Sequence, residues 1–214
     1  SGLNEADIVF EEIVESSTRF AIVPHSQVAD PVGPIRSGRT QDINLLSMLN
    51  HPLFMWSGGN NAVTKAIRAS DLVELSANSN EVFKAGQFFR NPEHGPPHDL
   101  YAYTTGLWTL APAGAGPPPQ QFEYLADGEA AVGDATPGAD GNMDGLDITW
   151  RYDTATGLYM RTSAEVPHMD SLIGQVSTNN VIVMVVEDHK SPADPKCPDA
   201  QTVGTREALL VPAG

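Results

Sequence analysis

The chain has 214 residues, 41% of them hydrophobic and 18% charged, and its 27 acidic against 12 basic side chains leave a formal net charge of −15. Such a composition is too apolar for a disordered chain and suits one large globular domain or two small ones. The acidity argues against nucleic acid and anionic membrane surfaces as partners, and the longest apolar run, Val181 to Val186, falls far short of the ~20 residues a spanning helix needs.

In chain order, Ser1-Gly2-Leu3-Asn4-Glu5 lacks the basic start and apolar segment of a secretory signal. Partial alternation of Ile8, Phe10 and Val14 between Asp7 and Glu15, then Arg19 to Val23, predicts two strands joined at Glu15-Ser16-Ser17-Thr18. A helix over Glu5 to Glu15 is the competing reading. Thr40-Gln41-Asp42 offers an N-cap and an early acid for a helix running to about Asn50. Leu53 to Trp56 reads as a strand, Ser57-Gly58-Gly59-Asn60-Asn61 as a turn and Ala62 to Ala69 as a helix, an α/β order. Phe83 to Phe89 fits either element. Asp99 to Leu110 reads as a helix carrying Tyr101, Tyr103 and Trp108 at near-helical spacing, as core residues.

Ala111 to Pro119, with four prolines, predicts a stiff extended linker. Beyond it, Ile148 to Tyr152, Leu158 to Arg161 and Val181 to Glu187 read as strands, with Asp153-Thr154-Ala155-Thr156-Gly157 as a hairpin connection. Trp150, Tyr152 and Tyr159 are expected to meet as a cross-strand cluster. The expected fold is α+β: an α/β-like N-terminal domain with a mixed sheet to about Ala115, then a smaller β-rich C-terminal domain over 116–214.

Chemistry concentrates at Gly33-Pro34-Ile35-Arg36-Ser37-Gly38-Arg39-Thr40-Gln41-Asp42, which holds two of the eight arginines. Positive charge at a glycine-containing turn that opens a helix suits a phosphate or carboxylate. Arg36, Ser37 and Arg39 are therefore candidate ligand-binding residues, with Arg19 and His98 placed to converge on them. The competing reading pairs these arginines internally with Glu11, Glu12, Glu15 or Asp42. Those four carboxylates are also candidate acids or bases, Glu11 and Glu15 sharing one strand face and Glu12 taking the other. Asp140-Gly141-Asn142-Met143-Asp144-Gly145 matches the first six positions of a calcium loop, with Asp140, Asn142 and Asp144 as ligands, but Arg151 stands where the bidentate Glu belongs. The bland reading is a solvated turn, and calcium is the only cofactor suggested. Ser57-Gly58-Gly59 lacks the G-x-S-x-G pattern and reads as turn geometry. Cys197, the single cysteine, excludes an internal disulfide and reads as a free thiol in the loop Pro195-Lys196-Cys197-Pro198.

Several stretches resemble the YerB-like family of bacterial envelope lipoproteins, defined by the domain of unknown function DUF3048. They are residues 1–12, Glu15 with Thr18-Arg19-Phe20, Val32 to Ser37 through Arg39 and Asp42, Ser57-Gly58-Gly59, and Pro97-His98 with Leu100-Tyr101. In the second half they are Trp150 to Asp153, Gly157-Leu158-Tyr159, Arg161, His168, Asp170 and Asn180-Val181. The resemblance implies an N-terminal DUF3048 domain, a smaller C-terminal one and a place outside the cytoplasm on a lipid anchor. Against that family the chain starts after the anchor and a first strand, and Pro212-Ala213-Gly214 falls before the final strands, so the C-terminal domain is expected to be incomplete. The expected role is an extracytoplasmic cell-envelope protein that binds an anionic ligand, an envelope component or a protein partner, touching the membrane only through an anchor outside this chain. One alternative is an envelope hydrolase or transferase acting on a phosphorylated or glycan substrate. Another is a structural subunit of a surface assembly.

Overall fold

A computed structural model describes every residue except 16, 127, 130, 131, 134, 135, 205, 206, 213 and 214. The chain opens with an antiparallel hairpin of β1 (Ile8–Val14) and β2 (Ser17–Val23), in register from Ile8 opposite Val23 to Val14 opposite Ser17. β-branched side chains on both segments favour this pairing over the helical reading. The expected connection includes Ser16, which lies outside the described residues. An extended run then leads to α1 (Gln41–Leu46), which tightens into a 3-10 turn at Ser47–Leu49 and stops where Asn50 turns left-handed at φ 56°.

β3 (Leu53–Trp56), α2 (Asn61–Arg68) and β4 (Val73–Ser76) form a βαβ unit with parallel strands. Asn60 caps α2, its side-chain oxygen accepting from the Val63 N–H at 2.9 Å. α3 (Asn80–Ala85) leads to β5 (Phe89–Arg90), which pairs antiparallel with β6 (Leu100–Tyr101) before α4 (Thr104–Leu107) and a 3-10 turn at Trp108–Leu110. The ambiguous segment Phe83 to Phe89 thus runs from α3 into β5. The single helix expected over Asp99 to Leu110 is divided, because its aromatics answer to a strand pair. Tyr101 stacks on Phe89 at 5.7 Å across β5 and β6, whereas Trp108 lies exposed.

Alternation along β3 sends Phe54 and Trp56 to one side, with Leu45, Leu46, Leu49, Val63 and Ile67. Leu53 and Met55 turn to the other, with Leu75, Val82, Phe88, Leu100 and Leu107. Two apolar cores therefore flank the parallel pair. Ala111 to Pro119 carries no helix or strand.

The rest is β-rich. β7 (Gly138–Met143), β8 (Leu146–Asp153), β9 (Leu158–Ser163) and β10 (Val166–Pro167) form an antiparallel meander. A small hairpin, β11 (Met169–Asp170) with β12 (Gly174–Gln175), precedes β13 (Ser177–Thr178), which pairs with β9 beside β10. β14 (Val181–Val185) pairs with the last strand, and β15 (Asp188–Ser191) with β16 (Asp194–Ala200); the last strand is β17 (Glu207–Val211). Three of these strands overlap the expected ones. The loop at Cys197 is instead part of β16, whose prolines are tolerated because among the described residues it is laddered on one side alone, with β15. Tyr159 lies buried with Trp150 and Tyr152 packed against it.

Candidate functional site

The arginine-bearing run is stitched between the β3–β4 and β5–β6 pairs of the N-terminal part. Val32 bridges Ala102, the Ile35 N–H donates to Leu100 O at 2.7 Å, the Ser57 N–H to Arg36 O at 3.0 Å and the Gly38 N–H to Gly58 O at 3.1 Å. Its glycines are dictated by that crowding. A Cβ on Gly33 would lie 2.4 Å from the Tyr101 ring, and one on Gly38 would lie 2.7 Å from the Trp56 ring. Ser57-Gly58-Gly59 serves this stitching and turns the chain into α2, with Gly58 at φ 106°.

The three candidate arginines end in three settings. Arg19, directly across the hairpin from Glu12, forms ion pairs with Glu12 (3.2 Å) and Asp42, and its Nη1 donates to Ser37 O at 2.8 Å. Ser37 contributes a carbonyl to an internal arginine. Arg39 grips Glu15 through both carboxylate oxygens at 3.1 and 3.2 Å. Arg36 is exposed, and its Nη1 donates to Pro97 O at 2.9 Å and to His98 Nδ1 at 3.2 Å. A guanidinium only donates, so His98 accepts through Nδ1 and carries its proton on Nε2.

The start of α1 departs from expectation. Thr40 makes no capping bond and shares a hydrogen bond with Ser191 at 2.7 Å instead. The capping anion is the protein's own Asp42, which accepts from the Arg39 N–H at 2.7 Å while also pairing with Arg19. The charge complementarity that suggested an outside anion is met here from within.

The carboxylates weighed as acids or bases separate likewise. Glu12 is buried, and loss of solvent raises its carboxyl against the pull of Arg19, with help from Asp42, to about 7. Glu15 lies beyond the strand end. Partial burial works against its charge, yet hydrogen bonds from Cys197 and Arg39 outweigh it and hold the carboxyl down at about 2. The Cys197 thiol donates to Glu15 at 2.7 Å, and burial followed by that bond pushes it up to about 12, a protonated and unreactive state. Glu11 faces the C-terminal part and pairs with Arg161 at 2.6 and 3.2 Å.

Arg161, only 2% exposed, carries the family resemblance in the sequence but is not among the expected site residues. Besides Glu11 it donates to His168 Nδ1 at 2.7 Å and lies over the Phe20 ring at 5.3 Å, while Phe20 stacks on His168 at 5.5 Å. Burial first, then the Arg161 charge, lowers the His168 pKa against the opposite pull of Glu11 and Asp170. The match at Arg161 and His168 was visible in the sequence, but not their partner Glu11, 150 residues away.

The calcium-like segment is the β7–β8 hairpin, with Asp144 (φ 53°) and Gly145 (φ 88°) as its two-residue turn. Asp140 pairs with Arg151 at 2.6 Å and Asn142 donates to Asp147 at 2.6 Å, so two of the three expected ligands are drawn to separate partners, while Asp144 sits in the turn. Among the described residues no group of three or more His, Cys, Asp or Glu side chains is disposed to hold a metal.

A mixed α and β protein, with an internally neutralised arginine on its hairpin and a β-rich C-terminal region, is the class these features define. Residues 1–116 match the "Protein of unknown function (DUF3048) N-terminal domain" and residues 141–214 the "Protein of unknown function (DUF3048) C-terminal domain". The chain belongs to the DUF3048 family. It is 30% identical over 102 residues to "Putative lipoprotein YerB" of Bacillus subtilis (strain 168), a match covering 47% of this chain and 30% of that relative. A crystal structure of the YerB protein from Bacillus subtilis aligns with all of this chain and 72% of the solved one at a TM-score of 0.77 and 23% identity, so the fold is shared.

Proposed function

We propose that this chain is an extracytoplasmic cell-envelope protein that holds an anionic group, the carboxylate or phosphate of an envelope component, at Arg36 and His98. In this reading the α/β-like N-terminal domain to about residue 115 bears the site, and the smaller β-rich domain over 116–214 buttresses it. The lipoprotein description of its Bacillus relative supports the location; contact with the membrane is then through a lipid anchor.

One observation carries the site. Arg19, Arg39, Arg68, Arg90, Arg151 and Arg161 each have a carboxylate within 4.0 Å, and Arg36 alone among the described arginines has none. In a chain of 27 acids, an exposed guanidinium steadied by a carbonyl and an imidazole keeps its remaining donors for an outside acceptor. Glu11, Glu12, Glu15 and Asp42 are all engaged with other arginines, which favours binding over acid–base chemistry at Arg36.

The test is native mass spectrometry of protein from its own source, followed by titration with inorganic phosphate and with acetate. The parent is expected to bind, and Arg36→Ala to weaken binding at least tenfold, as loss of a charge-assisted bond worth about 1.5–3 kcal/mol requires. Equal binding by parent and variant overturns the site.

A further inference from the structure

We propose that the β14 edge is a self-association surface, on which a second copy of this chain adds its own β14 antiparallel. β14 reads Val181-Ile182-Val183-Met184-Val185, uncharged and rich in β-branched residues, and among the described residues its only ladder is with β17. Among the described residues no other backbone hydrogen bond reaches residues 181–185. The opposite edge is therefore a bare row of donors and acceptors, with none of the lysines or prolines that protect such edges. Its outer face is apolar as well: Ile182, Met184 and Leu210 are 44%, 45% and 62% exposed. A ribbon of two strands is marginal in water by itself, and only its inner face, through Val181, Val183 and Val211, packs on the neighbouring core.

The sequence around β14 selects the occupant and its direction. Antiparallel pairing of two copies about Val183 places Ile182 against Met184 of the second copy and Val181 against Val185, so every facing pair is apolar. The same register brings the acids that follow, Glu187 and Asp188, opposite Asn179 and Thr178, so no carboxylate meets its own copy. A parallel arrangement would set Glu187 against Glu187 and Asp188 against Asp188, a repulsion in an already acidic protein. A seam one strand wide is small beside the ~1,600 Å² of a standard interface, which makes the dimer dependent on concentration.

Sedimentation of the whole chain from about 1 to about 100 µM is expected to show a monomer–dimer equilibrium. Ile182→Lys/Met184→Lys places like charges opposite each other on both sides of Val183 and should abolish the dimer. Ile182→Lys/Met184→Glu instead sets Lys against Glu and should restore it, a recovery that a merely misfolded ribbon would not give. Val183→Cys should cross-link to itself under mild oxidation, because directly opposed antiparallel residues lie ~4.5–5.5 Å apart at Cα, within reach of a disulfide; native Cys197 is buried and gives little background. A monomer throughout the range overturns the proposal, and so does a dimer that ignores both charge variants, including one in which other residues cover this edge.

Discussion

Arg19 and Arg36 look equivalent in the sequence, as arginines beside apolar runs, yet they are opposite in consequence. Arg19 neutralises Asp42 and half-neutralises Glu12 in a space closed to water. Arg19→Ala strands both carboxylates and should cost about 3–5 kcal/mol in urea denaturation, as for a broken buried pair. Arg36→Ala touches one carbonyl and one imidazole at the surface and should stay within about 0.5 kcal/mol of the parent. Glu12 adds a pH dependence of definite sign. Its carboxyl is raised from 4.5 to about 7 on folding, so its contribution to stability is complete below 4.5 and is lost as pH rises through 7. Glu15 runs the other way, its contribution being present above 4.5 and lost as pH falls toward 2. Stability of Glu12→Gln, measured relative to the parent at pH 5 and pH 8, should therefore improve at the higher pH. Parallel curves for the two proteins across that range would show that Glu12 does not titrate there.

At the scale of elements, the sequence is legible where one local signal suffices. Alternating β-branched residues mark β1 and β2, and β3, its glycine turn and capped α2 announce themselves in order. The divided segment from Leu100 to Leu110 and the strand β7 mislead because a pairing strand, not their own pattern, decides them: Phe89 draws Tyr101 into a strand, and β8 draws Asp140 and Asn142 into a ladder. The site was legible to the same degree. The run from Gly33 to Asp42 stood out, but which of its arginines is spoken for depends on Glu12 and Glu15, which the hairpin delivers. Packing between elements also has a direct assay. Gly38→Ala drives a methyl into the Trp56 and Ile67 side chains, at 2.7 and 2.8 Å, and should lower stability by about 1–3 kcal/mol. Gly141→Ala meets nothing within 4 Å and should leave the melting temperature nearly unchanged.

Across the whole molecule, the β1–β2 hairpin works on both faces. Glu12 and Arg19 turn to α1, while Glu11 and Phe20 turn to Arg161 and His168. Further ties run the same way: Asn4 donates to Gln175 O at 3.1 Å and accepts from the Ser177 N–H at 3.0 Å, and Gln41 accepts from the Ala200 N–H at 3.1 Å. Arg161→Ala leaves Glu11 without its counter-charge at this junction, and a loss of about 3–5 kcal/mol is expected. Limited proteolysis should then release a fragment beginning after the proline-rich segment, where the parent stays whole. Intact behaviour of the variant would mean that the remaining ties suffice.

That double-faced hairpin also restrains how the protein can change by descent. A substitution at Glu11 is answered in the second half of the chain, at Arg161, and one at Glu15 bears on Cys197. The two halves are not free to diverge separately or to be exchanged as modules. A hybrid that joins this amino-terminal half to a relative's carboxy-terminal half should fold only when the donor brings an arginine to face Glu11, and grafting that one residue should rescue a hybrid that lacks it.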